Sequence, residues 1–231
     1  MDAYDRKARL YPAICALFPL TVLATTTFEP GTWWASVIGL GTLGGIHVLV
    51  IQLVRDRGVA AQRKLWSAWG GNPTALRLRW AADDRSSQAS LHSAVRNATG
   101  ADLPSQAEEE ADPEASMKRY ESAVATLRDR TRDQARFPLV KAELSNYGFR
   151  RNLYSLKPFG LTVAIAALAL SLVLLSTAFA GHTLRWLVPS ATAMGALALW
   201  LAFIRSGFVR LDAERYADAL LAAADEVNRS E

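Results

Sequence analysis

Apolar residues occur along this chain in four long runs that contain no charged side chain. A helix needs about 20 residues to cross a bilayer, and each run approaches or exceeds that length. A second apolar run follows the first almost at once, which is not typical of a cleaved signal peptide. The pattern predicts four transmembrane helices, arranged as two hairpins, at residues 10–28, 31–54, 158–184 and 186–204.

The charges beside these runs predict their orientation. The hairpin turns, FEPGTWW and AGHTLRW, carry only Glu29 and Arg185 as full charges. The opposite ends of the runs are basic, and basic residues mark the cytoplasmic side of a membrane. We therefore expect a membrane protein whose two termini and residues 55–157 are cytoplasmic. The basic residues at those ends are Arg6, Lys7, Arg9, Arg55, Arg57, Arg63, Lys64, Arg150, Arg151, Lys157, Arg205 and Arg210.

The polar middle of the chain is predicted to be helical. The second span should continue to the paired glycines Gly70 and Gly71, and Asn72 followed by Pro73 should start a new helix. A short helix closed by Gly100 comes next. The acidic, proline-bearing stretch ADLPSQAEEEADPEA, with Glu108–Glu110, is expected to be a solvated loop.

Two later stretches have the apolar periodicity of amphipathic helices. Residues 113–135 repeat Met117, Tyr120, Val124 and Leu127 on one face, and a further helix leads into the third span. The C-terminal tail repeats Leu211, Tyr216, Leu220, Leu221 and Val227. The expected fold is all-α, with an N-terminal transmembrane hairpin (1–54), a cytoplasmic helical domain (55–157), a C-terminal transmembrane hairpin (158–204) and a cytoplasmic amphipathic tail (205–231).

Composition bears on the class of activity. The chain is 51% hydrophobic and has a single cysteine, Cys15, so it has no internal disulfide. It contains no phosphate loop, no HExxH motif and no metal-spaced cluster, and the spans hold no Asp or Glu. We therefore expect no catalytic residue, metal or cofactor, no nucleic-acid partner, and a role other than that of an enzyme.

Two soluble stretches combine aromatic and basic residues. In LWSAWGGNPTALRLRW, aromatic rings and arginines surround a helix start whose backbone amides suit an anion. In NYGFRRNLY, similar residues precede the third span. Together they suggest a pocket for a nucleotide-like messenger, although a small tryptophan core and ordinary positive-inside charges would look the same. The candidate ligand-binding residues are Trp69, Asn72, Thr74, Arg77, Arg79, Tyr147, Arg150, Arg151 and Asn152.

The second span, IGLGTLGGIHVLVIQLV, carries an unusual set of small residues and one histidine. Gly41 and Gly45 are one helical turn apart, and small residues let membrane helices approach closely, within one bundle or between subunits. Ala191 and Gly195 repeat this spacing in the fourth span. His47 lies beside that face; it lines a pore in one reading and is a neutral, hydrogen-bonded histidine in the other.

The layout resembles that of a known group of proteins. Two membrane hairpins with little protein outside, a small cytoplasmic helical domain, and the motif-like stretches WGGNPTALRLR and NYGFRRNLYSLKPFG resemble the multi-span membrane effectors of bacterial antiphage defence. The resemblance implies a homo-oligomer in the lipid bilayer of the bacterial inner membrane, which it permeabilises when the cytoplasmic domain senses a ligand or a protein partner. The alternative is a non-conducting membrane scaffold that docks a cytoplasmic partner protein.

Overall fold

A computed structural model describes residues 4, 6–27, 33–80, 85–177 and 183–229 of the 231-residue chain. At residues 33–44, 46–48, 50, 53, 55, 85 and 183 it describes the backbone alone. All regular secondary structure within these ranges is helical, and no strand occurs there. The predicted all-α class is confirmed.

The helices follow one another with short connections. In the described part of the chain, a π-helical turn at Arg6–Leu10 precedes ten α-helices, numbered α1–α10 in chain order. Their bounds are α1 Tyr11–Thr27, α2 Trp33–Trp69, α3 Pro73–Arg77, α4 Arg85–Thr99, α5 Gln106–Ala111, α6 Pro113–Arg130, α7 Pro138–Ser155, α8 Lys157–Thr177, α9 Thr183–Ala202 and α10 Ser206–Asn228.

The chain divides into two compact units. The first contains residues 1–62 and 148–209, and the second contains residues 63–147 and 210–231. The C-terminal residues thus belong to the same unit as the middle of the chain. The four-domain division expected from the sequence stays a prediction.

Among the described residues of the first unit, three helical stretches are long and apolar enough to cross a membrane: Arg6–Thr27, Lys157–Thr177 and Leu184–Ala202. Helices α1, α8 and α9 pack against one another in pairs. The predicted span at residues 31–54 coincides with the first part of α2, but the structure describes few of its side chains. Residues 28–32 and 178–182 lie outside the described residues. Of the predicted turns, residues 33–34 begin α2 and residues 183–186 begin α9, and α8 ends at Thr177, so the prediction that the third span extends to residue 184 is wrong. Four spans and two hairpins remain predictions.

Polar contacts join the apolar helices of the first unit at two places. The hydroxyl of Ser190 on α9 donates to that of Ser171 on α8 at 3.0 Å, and both side chains are buried. At the end of α1, Arg185 donates to the carbonyl oxygens of Thr26 and Thr27 at 2.7 and 3.2 Å. A cation at a helix C-terminus satisfies free carbonyls and complements the helix dipole, which accounts for the one arginine expected at these turns.

Helix α6 lies at the centre of the second unit and packs against α3, α4 and α5. Tyr120, Val124 and Leu127 are buried, and Met117 packs against the same core. The predicted apolar face of this helix is confirmed. The last helix, α10, contributes Leu220, Leu221 and Val227 to that core, with Tyr216 beside it, while Leu211 is exposed.

Glycines end helices where the sequence predicts it. Helix α2 stops at Trp69, and Gly70 follows with a φ of 87°, which side chains rarely tolerate. Gly100 ends α4 with a φ of 68°. The side chain of Asn72 accepts a hydrogen bond from the Thr74 backbone N–H at 3.1 Å and so caps α3, with Pro73 at its first position.

The acidic stretch expected to be a loop contains a helix, so that prediction is wrong. Helix α5 covers Gln106–Ala111, and Ser105 with Glu108 forms a capping box at its start. Glu109, expected to be solvated, is only 5% exposed. Helix α6 also ends earlier than expected, at Arg130 rather than Ala135.

Candidate functional site

Asn152, on α7, is the centre of a buried polar cluster in the first unit. Its side chain is 2% exposed. Its Nδ2 donates to the carbonyl oxygen of Ala8 at 2.6 Å, and its Oδ1 accepts from Nε of Arg151 at 3.3 Å. A buried amide is stable only when both its donor and its acceptor are satisfied, and these contacts satisfy both.

Helix α2 joins this cluster through a glycine and a glutamine. A Cβ at Gly58 would overlap Oδ1 of Asn152 and lie 3.3 Å from its Cγ. Nη1 of Arg151 donates to Oε1 of Gln62. The set Ala8, Gly58, Gln62, Arg151 and Asn152, called here the Asn152 junction, therefore ties the turn before α1 to α2 and α7.

Arg150, next to the junction, has its own partner. Its Nη1 donates to the carbonyl oxygen of Phe208 at 3.0 Å, and its guanidinium lies 4.4 Å from the centre of the Phe208 ring. An arginine placed over an aromatic face adds a cation–π attraction to the hydrogen bond. Arg150 thus connects α7 to the start of α10 within the first unit.

A second polar cluster lies in the second unit around the carboxylate of Glu109, on α5. Oε1 accepts from Nε of Arg79 at 2.8 Å. Oε2 accepts from the Trp80 backbone N–H at 3.0 Å and from the Tyr120 hydroxyl at 2.8 Å. Burial raises the pKa of Glu109, but the bonds from Trp80, Arg79 and Tyr120 outweigh it, so that the pKa lies below its ordinary value. Burial and the Glu109 carboxylate raise the pKa of Tyr120, which stays a hydrogen-bond donor.

His92, on α4, extends this Glu109 network. Its ring is 4.4 Å from that of Trp80 and 5.7 Å from that of Tyr120, and both pairs are T-shaped. Nε2 of His92 lies 2.5 Å from the carbonyl oxygen of Leu78, a distance at which the ring N–H donates. Burial lowers the pKa of His92, and the bond to Leu78 only partly opposes this. His92 is therefore neutral at pH 7.

Most residues of the first candidate ligand-binding stretch make contacts within the second unit itself. Asn72 caps α3, Thr74 is 2% exposed, and Arg79 binds Glu109. Arg77 is half-exposed and forms an ion pair with Asp218 at 3.3 Å. Trp69 is half-buried. Among these candidate residues, solvent therefore reaches Arg77 and, in part, Arg79 and Trp69.

The second candidate stretch falls on both units. Tyr147 belongs to the second unit, where its ring stacks on that of Tyr216 at 6.2 Å and 7°. Arg150, Arg151 and Asn152 belong to the first unit and make the contacts given above. Whether either stretch binds a ligand stays a prediction.

The candidate packing residues are described only in part. At Gly41 and His47 the structure describes the backbone alone. Gly45 is exposed, and a Cβ there or at Gly195 would meet no atom within 4 Å. In the first unit, close packing occurs instead at Gly160, where a Cβ would lie 2.5 Å from Cε2 of Trp200.

Several residues of these clusters were not anticipated from the sequence. The spacing of Ser105 and Glu108 is a capping-box signature and could have revealed α5. Gly58 interrupts an otherwise good helical stretch, which indicates close packing when the helix persists. The burial of Glu109 and His92 had no comparable local signal, since their partners are distant in sequence.

The described residues bring no three His, Cys, Asp or Glu side chains together in a way that could hold a metal ion. Comparison of the chain with protein families, with curated proteins and with solved structures finds no match.

Proposed function

We propose that this protein crosses a bacterial inner membrane four times and permeabilises it when its cytoplasmic helical domain meets a ligand or a protein partner. Three apolar helices of sufficient length support the membrane assignment. Basic residues at one end of each predicted span support an orientation with both termini and residues 55–157 in the cytoplasm. Labelling of single cysteines introduced into a Cys15→Ser chain at exposed positions such as Ser87 and Glu226 tests this topology.

The Asn152 junction is the observation that carries the gating part of the proposal. Helices α2 and α7 each contribute residues to both units. A change in the second unit would reach the apolar helices through these two helices, and the junction is where they are tied to the turn before α1. A ligand can only shift an equilibrium between states that it binds unequally, so gating would require a second arrangement of the junction that the ligand favours.

Oligomerisation is the second part of the proposal. The Gly41–Gly45 face supports it, because Gly45 is exposed and has room beside it within the chain. In lipid, small faces left open in one chain are suited to close approach by another. In an oligomer built on this face, His47 would lie close to the same contact and line a pore.

Arg77 and Trp69 are the side chains that we assign to the first encounter with a ligand or partner. Within the described part of the chain, the Arg77 side chain is held by an exposed ion pair with Asp218, and such pairs contribute about 0–1 kcal/mol and are easily exchanged for a phosphate or carboxylate of a ligand. The remaining candidate residues would act by shaping the surrounding helices. Arg77→Gln should then prevent activation and leave the fold unchanged.

The membrane potential of bacteria that produce the chain tests the proposal. A voltage-sensitive dye should report depolarisation with the natural sequence. Gly58→Val, which displaces Asn152, should reduce it, whereas Ala60→Val, at an exposed position of the same helix, should not. Equal depolarisation by both variants at equal membrane levels would remove the junction from the mechanism.

The alternative of a non-conducting scaffold receives less support from the second unit. A scaffold of this kind could dock a partner on the amphipathic faces of α6 and α10, but Tyr120, Leu127 and Leu220 on those faces are fully buried in the unit's own core. A scaffold would have to dock its partner by another surface. Stable co-purification of one cytoplasmic protein, together with an unchanged membrane potential, would favour it.

A further inference from the structure

An apolar groove lies between α1 and α9 in the first unit. Its volume is about 700 Å³, which lies within the range of about 300–1,000 Å³ that is typical of small-molecule pockets. None of the residues that line it is charged. Its walls include Ile14 and Phe18 of α1 and Thr192, Gly195 and Leu199 of α9. The absence of a side chain at Gly195 leaves part of this space open, since a Cβ there would meet nothing within 4 Å.

The groove has the length of one membrane leaflet. Its wall on α9 extends from Thr192 to the end of that helix near Phe203. At 1.5 Å per residue this is about 16 Å, roughly half of the ~30 Å hydrocarbon core. A second transmembrane helix would need a surface along the full thickness, whereas an acyl chain occupies one leaflet. The length therefore favours a lipid chain as the occupant.

Basic side chains stand at one end of the groove. Ile204 and Phe208 line this end. Nζ of Lys157 donates to the carbonyl oxygen of Ile204 at 2.7 Å, and Arg150 lies over the Phe208 ring. Arg205 follows Ile204 directly and is exposed. An apolar trough that ends at cations has the charge distribution of a site for a negatively charged lipid.

We propose that this groove binds one acyl chain of an anionic phospholipid, whose phosphate group is held by Arg205 with Arg150 and Lys157 nearby. The proposal rests on α1 and α9 lying in a membrane, and is independent of whether the protein permeabilises it. The apolar walls bind the acyl chain of a lipid with any headgroup, whereas the basic end favours a lipid with a negatively charged headgroup. Arg205 is the side chain most open to the phosphate, because the other two already donate to backbone carbonyls.

Native mass spectrometry of the full chain in detergent tests this site. Palmitoyl-oleoyl phosphatidylglycerol and phosphatidylcholine serve as probes that differ only in the headgroup. We expect the natural chain to retain phosphatidylglycerol in preference to phosphatidylcholine. Arg205→Gln should weaken phosphatidylglycerol binding about fivefold, as expected for one basic residue at a membrane surface, and should weaken phosphatidylcholine binding less, because the choline cation already neutralises that phosphate.

Two matched substitutions test the apolar part of the site. Gly195→Leu fills the groove and should remove most binding of both lipids, whereas Ala169→Leu, at an exposed position of α8, should leave both unchanged. Circular dichroism confirms that each variant is folded. The proposal would be overturned by equal affinity for the two lipids or by unchanged binding in Gly195→Leu. A lipid-free dimer that Gly195→Leu dissociates would also overturn it and would assign the groove to a second copy of the chain. Arg205, being exposed, keeps the test valid if Gly195→Leu does not fold.

Discussion

Gly160, on α8, lies directly against the indole of Trp200, on α9. A Cβ at Gly160 would be 2.5 Å from Cε2 and 3.0 Å from Cη2 of that ring, closer than real Cβ contacts. Trp200 is 3% exposed, so the ring has little room to move away. The two apolar helices therefore approach each other closely at Gly160. This glycine is not part of the small-residue spacings that the sequence shows in the second and fourth predicted spans.

Gly160→Ala should destabilise the first unit by about 1–3 kcal/mol, because it forces a methyl group into an occupied position. Gly195→Ala is the matched control, since a Cβ at Gly195 meets no atom within 4 Å. That control should be neutral or slightly stabilising, as alanine favours a helix interior. Thermal unfolding in detergent measures both, and equal stability of the two variants would contradict close packing at Gly160.

Asn152→Ala should cost about 1–3 kcal/mol of stability, because it leaves the carbonyl oxygen of Ala8 buried without its donor. Asn146→Ala, on the same helix, is the control. Its side chain is half-buried and, as far as the described residues go, donates to Glu143 alone at 3.3 Å, so the substitution should cost under about 0.5 kcal/mol. Chemical denaturation of the purified chains compares them. A loss in the control as large as that in Asn152→Ala would show that the junction is not special.

Glu109→Ala should destabilise the second unit by about 3 kcal/mol, since it removes the common acceptor of Arg79, Trp80 and Tyr120. The cost is at the low end for a buried ion pair, because the Arg79 side chain is 39% exposed and water can reach it. Glu110→Ala is the neighbouring control at an exposed site and should change stability by less than about 0.5 kcal/mol. A denaturation midpoint for Glu109→Ala equal to that of Glu110→Ala would be incompatible with the network.

His92 should make the protein less stable as the pH falls from 7 to 5. Its pKa in the folded protein lies below the ordinary value of 6.5, so below pH 6.5 the unfolded chain binds a proton that the folded chain does not. The loss is at most about 1.4 kcal/mol per pH unit. Glu109 acts at lower pH, since its contribution is present above 4.5 and declines below that value. His92→Gln should flatten the curve between pH 7 and 5 in chemical denaturation; an unchanged slope would assign the loss to other groups.

The sequence was a good guide where local chemistry decides the structure. Paired glycines end α2, Asn72 caps α3 and the repeat of Tyr120, Val124 and Leu127 marks a buried face, because each depends on residues close together in the chain. The prediction from the sequence was wrong for the acidic stretch, where three consecutive glutamates suggested a solvent-exposed loop. Glu109 is buried because Arg79 and Tyr120, distant in sequence, satisfy it.

The candidate site shows the same limit. The basic and aromatic residues of both stretches were recognised, but their partners could not be. Arg151 binds Gln62, and Asn152 binds Ala8, more than a hundred residues earlier in the chain. A pattern of residue types indicates where polar chemistry occurs, whereas the three-dimensional contacts determine how much of it is left for a ligand.

Release of a fluorescent dye from sealed phospholipid vesicles that contain the purified chain tests membrane permeabilisation most directly, because no other bacterial protein is present. We predict release that rises more steeply than linearly with the protein-to-lipid ratio, as expected for an oligomer, and that falls in Gly45→Leu, where a bulky side chain occupies the open glycine face. Release no greater than that from empty vesicles, with the chain shown to span the bilayer, would contradict a permeabilising function.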